Sequence, residues 1–250
     1  MHRPHVSIIM PAYNSAKTLK TTINSVQNQS YKDWELIIID DASQDETISI
    51  AEEYAEADPR ILVLNNKQNQ GVAKTRNLGL EAKSGTNVAF LDSDDIWLQD
   101  KLKIQIEACK KNNIYFSYMS YDIINYNGKY INSYMPPLTV NHKRLLYGNP
   151  IGMLTTLIDS NFLGNSKFPI RGHEDYALWL SLLRKGGSAV RVGDKKPYAQ
   201  YRTHSQSVSY SKIKAIQWQW SIYRECEFMS PLKASIFMLP YAFNSIAKRI

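Results

Sequence analysis

The stretch NVAFLDSDDIW, residues 87 to 97, joins a short apolar run to three carboxylates within four positions. NVAFL has the length and composition of a buried strand, so Asp92, Asp94 and Asp95 follow directly where that strand ends. Like charges this close repel one another, which raises the cost of ionising all three. A divalent cation would remove that cost. The alternative is a solvated turn in which one Asp caps the next helix.

Apolar runs of the same kind alternate with helical patterns over residues 1 to 113. Strands that alternate with helices of about 10 to 15 residues predict a parallel, doubly wound α/β sheet with helices on both faces. The predicted strands are VSIIM at 6–10, ELIIID at 35–40, ILVLN at 61–65 and NVAFL at 87–91. The predicted helices contain Leu19, Ile23 and Val26; Ile48, Ala51 and Ala55; Ala73 to Ala82; and Leu98, Leu102, Ile106 and Cys109.

Polar or turn-forming residues follow each predicted strand. Ligands bind open α/β sheets at the carboxyl ends of the strands, so these residues are expected to line one rim. Such residues are also common in turns and helix caps, so a single polar strand end indicates little. Two acidic strand ends on one rim favour a binding site more strongly. The residues are Pro11 to Asn14, Asp40 to Ser43, Asn65 and Asn66, and Asp92 to Asp95.

Charge is distributed unevenly along the chain. Residues 1 to 100 contain 9 Lys or Arg and 15 Asp or Glu, a balance of −6, whereas the other 150 residues contain 21 and 8, a balance of +13. The acidic half is suited to a cation, and the basic half to an anionic ligand or surface. No run of Lys and Arg interleaved with aromatic residues is present, so no nucleic acid partner is expected.

The compartment is indicated by the cysteines and by the hydropathy pattern. Cys109 and Cys226 lie far apart without metal ligands at typical spacing, which fits a reducing environment and neither a disulfide framework nor a zinc site. The start MHRPHVSIIMPAYN has no long apolar region or cleavage site, so no signal peptide is predicted. No apolar run approaches the roughly 20 residues that span a bilayer. We expect a cytoplasmic protein, either soluble or peripheral at the inner membrane face.

Two further elements stand out after residue 113. The Tyr-rich stretch 114 to 130 alternates as strands do and has an Asn-Gly turn signal at Asn127 and Gly128. RGHEDYALWLSLLRKGG, residues 171 to 187, starts with acids and ends with Arg, Lys and Gly, as a capped helix does. Glu174 and Asp175 therefore fall in the first turn of a helix, where the macrodipole favours anions. Capping alone would account for both.

The chemistry available to the acidic rim is limited by what the chain lacks. There is neither a G-x-G-x-x-G after the first strand nor a G-x-x-x-x-G-K-[ST] motif, so phosphates would need another holder. Carboxylates such as Asp92, Asp94 and Asp95 suit Mg²⁺ or Mn²⁺, which bind through one or two carboxylates plus substrate phosphates. The sequence therefore predicts a metal between carboxylates and a diphosphate.

Five motifs resemble glycosyltransferase family 2 in order and spacing, over roughly residues 5 to 210. They are VSIIMPAYN, IIIDDASQDET, NQGVAKTRNLGL, FLDSDDIW and GHEDYALWLSLL. The resemblance implies a GT-A fold with a mostly parallel central sheet, a nucleotide-sugar donor with UDP as the default, a divalent metal (Mn²⁺ or Mg²⁺) and inversion at the anomeric carbon. It also implies a glycan or lipid-linked oligosaccharide acceptor in surface polysaccharide synthesis, such as lipopolysaccharide or capsule.

The resemblance divides the chain as well. Residues 1–210 would form the catalytic domain, with donor binding up to about residue 113 and acceptor binding over about 114–210. Residues 211–250 lie outside the matched region and are expected from their composition to form a helical tail that contacts a membrane or another subunit.

Single residues acquire donor-binding roles from the same resemblance. Asp41 would accept a hydrogen bond from the base ring, and Asp92 would lie near the ribose and sugar. Lys74 and Arg76 would place positive charge near the diphosphate oxygens, although both also fit solvated helix positions. The remaining donor-binding residues would be Pro11, Ala12, Tyr13, Ser93 and Arg202.

The metal ligands and the catalytic base are implied in the same way. Asp94 is the first choice of metal ligand, and Asp92 or Asp95 could join it because the additional Asp leaves the register ambiguous. His204 in YRTHSQSVS resembles a His that completes the metal shell or reaches the diphosphate, whereas a lone His in a polar loop is often only solvated.

Asp175 resembles the catalytic base of the family, and Glu174 would bind the acceptor or support the site. An inverting transfer needs one carboxylate to take the proton of the acceptor hydroxyl while a metal stabilises the departing diphosphate. A metal-dependent nucleotidyltransferase would use similar carboxylates but would not need the Glu-Asp helix. A catalytically silent nucleotide-sugar or glycan-binding module would tolerate replacement of Asp94 and Asp175.

The last forty residues are rich in Trp, Phe, Ile and Met, and they end in Lys248, Arg249 and Ile250. Pro231 and Pro240 are expected to interrupt helices here. An interfacial helix with an apolar face and basic residues would lie on an anionic bilayer and bring the protein to a lipid-linked acceptor. The alternative is a helical cap on the catalytic core or on the second subunit of a homodimer.

Overall fold

The computed structural model describes residues 5–203 and 212–247, without the side chains of 212, 213 and 240–247. The strands are β1 Val6–Ala12, β2 Trp34–Asp40, β3 Ile61–Asn65, β4 Asn87–Phe90, β5 Ile96–Trp97, β6 Phe116–Tyr118, β7 Tyr121–Ile124, β8 Tyr130–Tyr134, β9 Thr139–Val140, β10 Leu157–Asp159, β11 Ala189–Arg191 and β12 Ala199–Arg202. The helices are α1 Leu19–Gln27, α2 Thr47–Ala57, α3 Val72–Ala82, α4 Lys101–Asn112, α5 His142–Leu145, α6 Ser160–Leu163, α7 Glu174–Arg184, α8 Lys212–Ser221 and α9 Pro231–Ala247.

The described strands form a mixed α/β architecture with two sheets. The central sheet has the order β3-β2-β1-β4-β10-β6-β11-β9, and a smaller sheet has the order β5-β12-β7-β8. The four predicted strands are confirmed as β1 to β4, and they pair in parallel. β10, by contrast, runs antiparallel to both β4 and β6, so the central sheet is mostly rather than entirely parallel, as the resemblance implied. The regular alternation of strand and helix ends at α4, and after it parallel pairs such as β6 with β11 are mixed with antiparallel ones.

The core lies on both faces of the central sheet because successive strand residues point to opposite sides. In β1, Ile8 and Met10 pack on one side against α1 and α4, while Ile9 packs on the other side with Phe90 and α7. Every residue of β1 is buried. A strand that is buried on both faces appears in the sequence as a continuous apolar run, and this run is what predicted β1.

The segment between β4 and α4 differs from the expectation in one respect. Leu98 precedes α4, which begins at Lys101, and therefore does not belong to the helical face predicted for it. The N-cap position is Asp100, so none of the carboxylates at 92 to 95 caps the helix. The cap interpretation of the acidic cluster is therefore wrong, because a turn and β5 intervene.

The described part of the tail packs on the main hydrophobic core of the protein. Ile222, Tyr223 and Met229 are buried in the same cluster as the residues of α7. Pro231 opens α9, but the helix continues through Pro240 to Ala247, so the expected break at Pro240 is wrong. Within the described residues, none of the helices combines the length and hydropathy that a membrane crossing requires.

Candidate active site

The acidic turn after β4 is tied to the end of β12 by backbone contacts. The turn is closed by a hydrogen bond from the N–H of Asp95 to the carbonyl of Asp92, 3.1 Å long. The N–H of Arg202 donates to Asp95 Oδ1 at 2.8 Å, and Arg202 Nε donates to the carbonyl of Asp94 at 2.9 Å. These contacts fix the turn at the carboxyl edge of the central sheet, as the strand pattern predicted.

The three carboxylates of this turn occupy different environments. Asp95 is only 1% exposed, whereas Asp92 and Asp94 are half-buried. Burial, together with the charges of Asp94 and Asp92, raises the pKa of Asp95 well above its ordinary value. Asp95 thus acts as an internal hydrogen-bond acceptor, and Asp92 and Asp94 are the carboxylates of the turn that a ligand can reach.

Arg76 joins the acidic turn to the start of α7. Its guanidinium donates to Asp92 Oδ1 and to Glu174 Oε1, both at 2.6 Å, and the residue is 4% exposed. Burial alone lowers the pKa of Arg76, but Asp92 and Glu174 outweigh that effect and raise it. A solvated helix position is therefore wrong for Arg76. Lys74, by contrast, is exposed and does occupy a solvated helix position.

The start of α7 is confirmed where the sequence placed it. Glu174 and Asp175 form its first turn, after His173 in a left-handed conformation with φ of 56°. Asp175 Oδ2 accepts a hydrogen bond from Asn149 Nδ2 at 3.1 Å. Burial raises the pKa of Asp175, and burial together with Asp175 raises that of Glu174. Carboxylates with raised pKa values are suited to proton transfer near neutral pH.

The donor-side residues from the first two strand ends lie at the same edge of the sheet. Pro11 and Ala12 are buried, and Tyr13 is 49% exposed. Asp41 is 4% exposed, and its carboxylate accepts from the N–H groups of Gln70 and Gly71 at 2.9 and 2.8 Å. Asp41 therefore holds the loop that leads into α3 and Arg76. Its contact with a base ring stays a prediction.

Ser93 and Arg202 support the acidic turn from within. Ser93 is 7% exposed, its hydroxyl lies 2.7 Å from that of Ser15, and its carbonyl accepts from Thr22 at 3.0 Å. The Arg202 guanidinium donates to the carbonyl of Tyr126 at 2.8 Å in addition to Asp94. Their donor-binding roles stay predictions, and His204 lies outside the described residues.

Two site features were not identified by sequence reasoning. Asn149, which contacts Asp175, belongs to an irregular segment without a sequence signal. Tyr201 is 36% exposed and lies with its ring centroid 6.3 Å from that of Tyr121. Burial and the nearby Asp95 and other carboxylates raise the pKa of Tyr201. Its position directly before Arg202 in the YRTH motif was the available signal.

A divalent metal fits the donor set of the acidic turn. Asp92 and Asp94 supply carboxylate oxygens, which are the ligands that Mg²⁺ and Mn²⁺ prefer. Within 5–203 and 212–247, no three His, Cys, Asp or Glu residues are grouped so that they could hold a metal. The arrangement therefore suits an ion bound through one or two carboxylates and completed by phosphate oxygens and water.

The acidic turn at the carboxyl edge of the α/β sheet and the acidic pair at the start of α7 thus form one site, which Arg76 joins. The family model of glycosyl transferase family 2 matches residues 7–167. The chain belongs to this family and is a glycosyltransferase.

Two bacterial relatives match nearly the whole chain. TuaG of Bacillus subtilis, a glycosyltransferase named for teichuronic acid biosynthesis, is 38% identical over 99% of this chain and 98% of its own length. The UDP-Glc:α-D-GlcNAc-diphosphoundecaprenol β-1,3-glucosyltransferase WfgD of Escherichia coli is 39% identical over 97% and 94%. The name of TuaG refers to teichuronic acid biosynthesis, and the name of WfgD specifies a UDP-Glc donor and a diphosphoundecaprenol-linked GlcNAc acceptor.

Solved structures confirm the fold. Staphylococcus aureus TarS 1–349 in complex with UDP-GlcNAc has a TM-score of 0.75 at 20% identity, covering 95% of this chain and 71% of that one. The mannosyltransferase PcManGT of Pyrobaculum calidifontis, in complex with GDP-Man and Mn²⁺, has a TM-score of 0.69 at 17% identity, covering 96% and 70%. At these identities the likeness establishes the GT-A architecture.

Proposed function

We propose that this protein is an inverting glycosyltransferase that transfers a sugar from a UDP-sugar to a lipid-linked or other glycan acceptor during surface polysaccharide synthesis. The main support for this proposal is the buried Arg76. Its 2.6 Å contacts to Asp92 and Glu174 couple the two acidic motifs into one site. A nucleotidyltransferase would have no need of that coupling, since it would not use the Glu-Asp helix.

The reaction would be a single displacement. The acceptor hydroxyl attacks the anomeric carbon, its proton passes to the carboxylate of Asp175, and the bond from that carbon to the diphosphate oxygen breaks. The leaving group is the nucleoside diphosphate, so no covalent sugar-enzyme intermediate is needed. Asn149 orients the receiving carboxylate through its 3.1 Å hydrogen bond to Oδ2. Glu174 supports Arg76 and borders the acceptor side.

A bound Mg²⁺ or Mn²⁺ would supply positive charge for the departing diphosphate. Asp94 would hold it, joined by Asp92, and His204 stays a candidate third ligand. Asp95 contributes indirectly, because its carboxyl fixes the turn through the N–H of Arg202. The nucleoside would bind between Tyr13 and the loop held by Asp41.

Location at the inner face of the membrane follows from the proposed acceptor. The name of WfgD specifies an acceptor attached to diphosphoundecaprenol, and such a lipid is confined to the bilayer. We expect this chain to work as a peripheral protein on the cytoplasmic side, where nucleotide sugars are made.

The decisive experiment measures release of nucleoside diphosphate from a panel of UDP- and GDP-sugars with Mn²⁺ and a diphospholipid-linked GlcNAc acceptor. We expect one UDP-sugar to be consumed, with β-configured product from an α-configured donor. With Mn²⁺ held at the concentration that half-saturates the parent, Asp94→Asn and Asp175→Asn should both lose most of the turnover, whereas the exposed Glu81→Gln should not. Turnover that survives in both Asp variants would refute the proposal, and tight donor binding without turnover in the parent would favour the silent module.

A further inference from the structure

The tail carries an exposed apolar stripe that the core does not cover. On α9, Leu232, Ile236 and Leu239 are 76%, 59% and 65% exposed. Their spacing of four and three residues places them on one helical face. Phe228, four residues before Leu232, is 81% exposed. Exposed apolar residues that are scattered singly need no explanation, but three of them on one helical face mark an interaction surface.

The opposite side of α9 is anchored, so the stripe does not result from a detached helix. Ala234 is fully buried, and Phe237 and Met238 pack against the main core cluster. The ring of Phe237 lies 5.2 Å from that of Tyr147. The same helix therefore has one face committed to the catalytic core and another that is free to bind something else.

Charge on the tail is also divided between two sides. From residue 211 onward the sequence contains six Lys or Arg but only two Glu. Both carboxylates are neutralised by the core: Glu225 pairs with Arg171 at 2.6 Å, and Glu227 pairs with Arg184 at 2.6 Å. Lys233 is exposed beside Leu232. The negative charges of the tail thus face the core, and the apolar stripe is bordered by positive charge.

The tail also adjoins the acceptor side of the active site. Trp218 of α8 packs so closely on Gly172 that a Cβ there would lie 1.9 Å from the indole ring. Its ring also lies 5.4 Å from that of His173, the residue before Glu174. Two other residues of α8, Ile216 and Trp220, are 48% and 37% exposed. A surface bound by the tail would therefore be near the start of α7.

We infer that this tail face binds an anionic phospholipid surface and places the active site next to a membrane-embedded acceptor. The tail face is the stripe of Leu232, Ile236 and Leu239 on α9, with Lys233 beside it; Phe228, Ile216 and Trp220 are further exposed apolar residues of the tail. The inference rests on the proposed function for its biological purpose, but the binding itself does not require turnover. Apolar insertion combined with basic residues is the usual basis of interfacial attachment.

A second copy of the chain is a less suitable occupant. In a two-fold dimer the same patch would meet itself, and Lys233 would find no available carboxylate of the tail, since Glu225 and Glu227 pair with Arg171 and Arg184. A single-helix stripe is also narrow compared with the roughly 800 Å² per partner that a stable interface buries. An anionic bilayer would bury the apolar residues and also place negative headgroups near the positive charge.

The test is sedimentation of the full chain with vesicles, without any donor sugar. Vesicles of phosphatidylcholine alone are compared with vesicles containing about one third phosphatidylglycerol, a proportion that gives an anionic surface. The parent protein should bind the anionic vesicles and lose binding as salt is raised. The triple variant Leu232→Ser, Ile236→Ser, Leu239→Ser should lower the partition coefficient at least about tenfold, because it removes three apolar side chains from the interface.

A control variant removes three exposed apolar residues elsewhere. The triple variant Leu62→Ser, Ile131→Ser, Leu138→Ser changes positions that are 44%, 54% and 62% exposed and should bind like the parent. Lys233→Glu should reduce binding to anionic vesicles while leaving the apolar stripe intact. Unchanged circular dichroism would show that each variant is folded.

Two results would overturn the inference. One is binding by the stripe variant equal to that of the parent; the other is a parent dimer that dissociates on the same substitutions without any vesicle binding. Diphosphate release with a water-soluble acceptor analogue separates this question from the enzymatic one. Turnover without vesicle binding would refute only the lipid binding by the tail face. Vesicle binding without turnover would refute only the proposed sugar transfer.

Discussion

The two acidic motifs of the site look alike in sequence but are built differently. In the turn at 92 to 95, Asp95 faces inward to the N–H of Arg202, whereas Asp94 is half-buried at the rim. At the start of α7, both carboxylates border the site, with Asp175 held by Asn149. Arg76 is the only group among the described contacts that pairs with both motifs. Neighbouring carboxylates are therefore not interchangeable, because each has its own partner.

The two motifs differ in how far solvent reaches their carboxylates and in the directions in which the side chains point. A turn can aim successive side chains in opposite directions, so one carboxyl becomes an internal support and the next a ligand. At a helix start, two consecutive acids both lie at the positive end of the helix dipole, although their side chains point in different directions around the axis. Substitutions that leave size unchanged should therefore have unequal effects within each motif.

The largest effect is expected for Asp175→Asn. Loss of the proton acceptor should lower kcat about 10²- to 10⁴-fold, the contribution of a positioned general base. The amide keeps the shape of the carboxyl, so thermal stability and UDP binding should change little. Steady-state kinetics with the preferred UDP-sugar and isothermal titration with UDP would measure both. A kcat within threefold of the parent would exclude Asp175 as the base.

Arg76→Met should separate the two motifs at a large cost in stability. It leaves Asp92 and Glu174 without their shared partner in a buried setting, which costs about 3 to 5 kcal/mol. Lys167→Met is the control, because Lys167 and Glu81 also pair at 2.6 Å but with both side chains more than half exposed.

Equilibrium urea unfolding should give no more than about 1 kcal/mol for that exposed pair. Equal losses for the two variants would show that Arg76 is not a buried bridge. A loss confined to Arg76→Met would confirm that burial, rather than the contact distance, determines the cost.

Within the acidic turn, Asp94→Asn and Asp95→Asn should differ. The Asp94 variant should need at least about tenfold more Mn²⁺ for half-maximal activity, since even supporting groups of metal sites change affinity by that much. The Asp95 variant keeps an oxygen to accept from the N–H of Arg202 and should leave the Mn²⁺ requirement near that of the parent. Identical metal titrations for the two would contradict this division of roles.

The smallest effect is expected in the pH profile. Asp175 accepts a proton only as the carboxylate, and burial raises its pKa, so kcat should fall with decreasing pH at a higher pH than for an exposed Asp. Asn149→Ala removes a hydrogen bond that favours the charged form. The acidic limb of log kcat against pH should therefore move further upward. A limb that moves downward, or does not move, would contradict the role given to Asn149.

The sequence was most informative for the N-terminal part of the fold. Strands β1 to β4 are buried on both sides, so they appear as continuous apolar runs that periodicity detects. The antiparallel insertion of β10 and the small sheet of β5, β12, β7 and β8 were not predicted as such. Their strands are short, and their pairing joins segments far apart in the chain. The continuation of α9 through Pro240 shows that tertiary packing can override a local helix breaker.

For the site, the sequence by itself determined the family, the two acidic motifs and the position of Glu174 and Asp175 in a helical first turn. Those features depend on local order, which spacing records directly. Only the tertiary structure decided which carboxyl is buried, that Arg76 joins the two motifs, and that Asn149 contacts Asp175. Such contacts depend on side chains as many as 98 residues apart in the chain, and no local pattern encodes a partner at that distance.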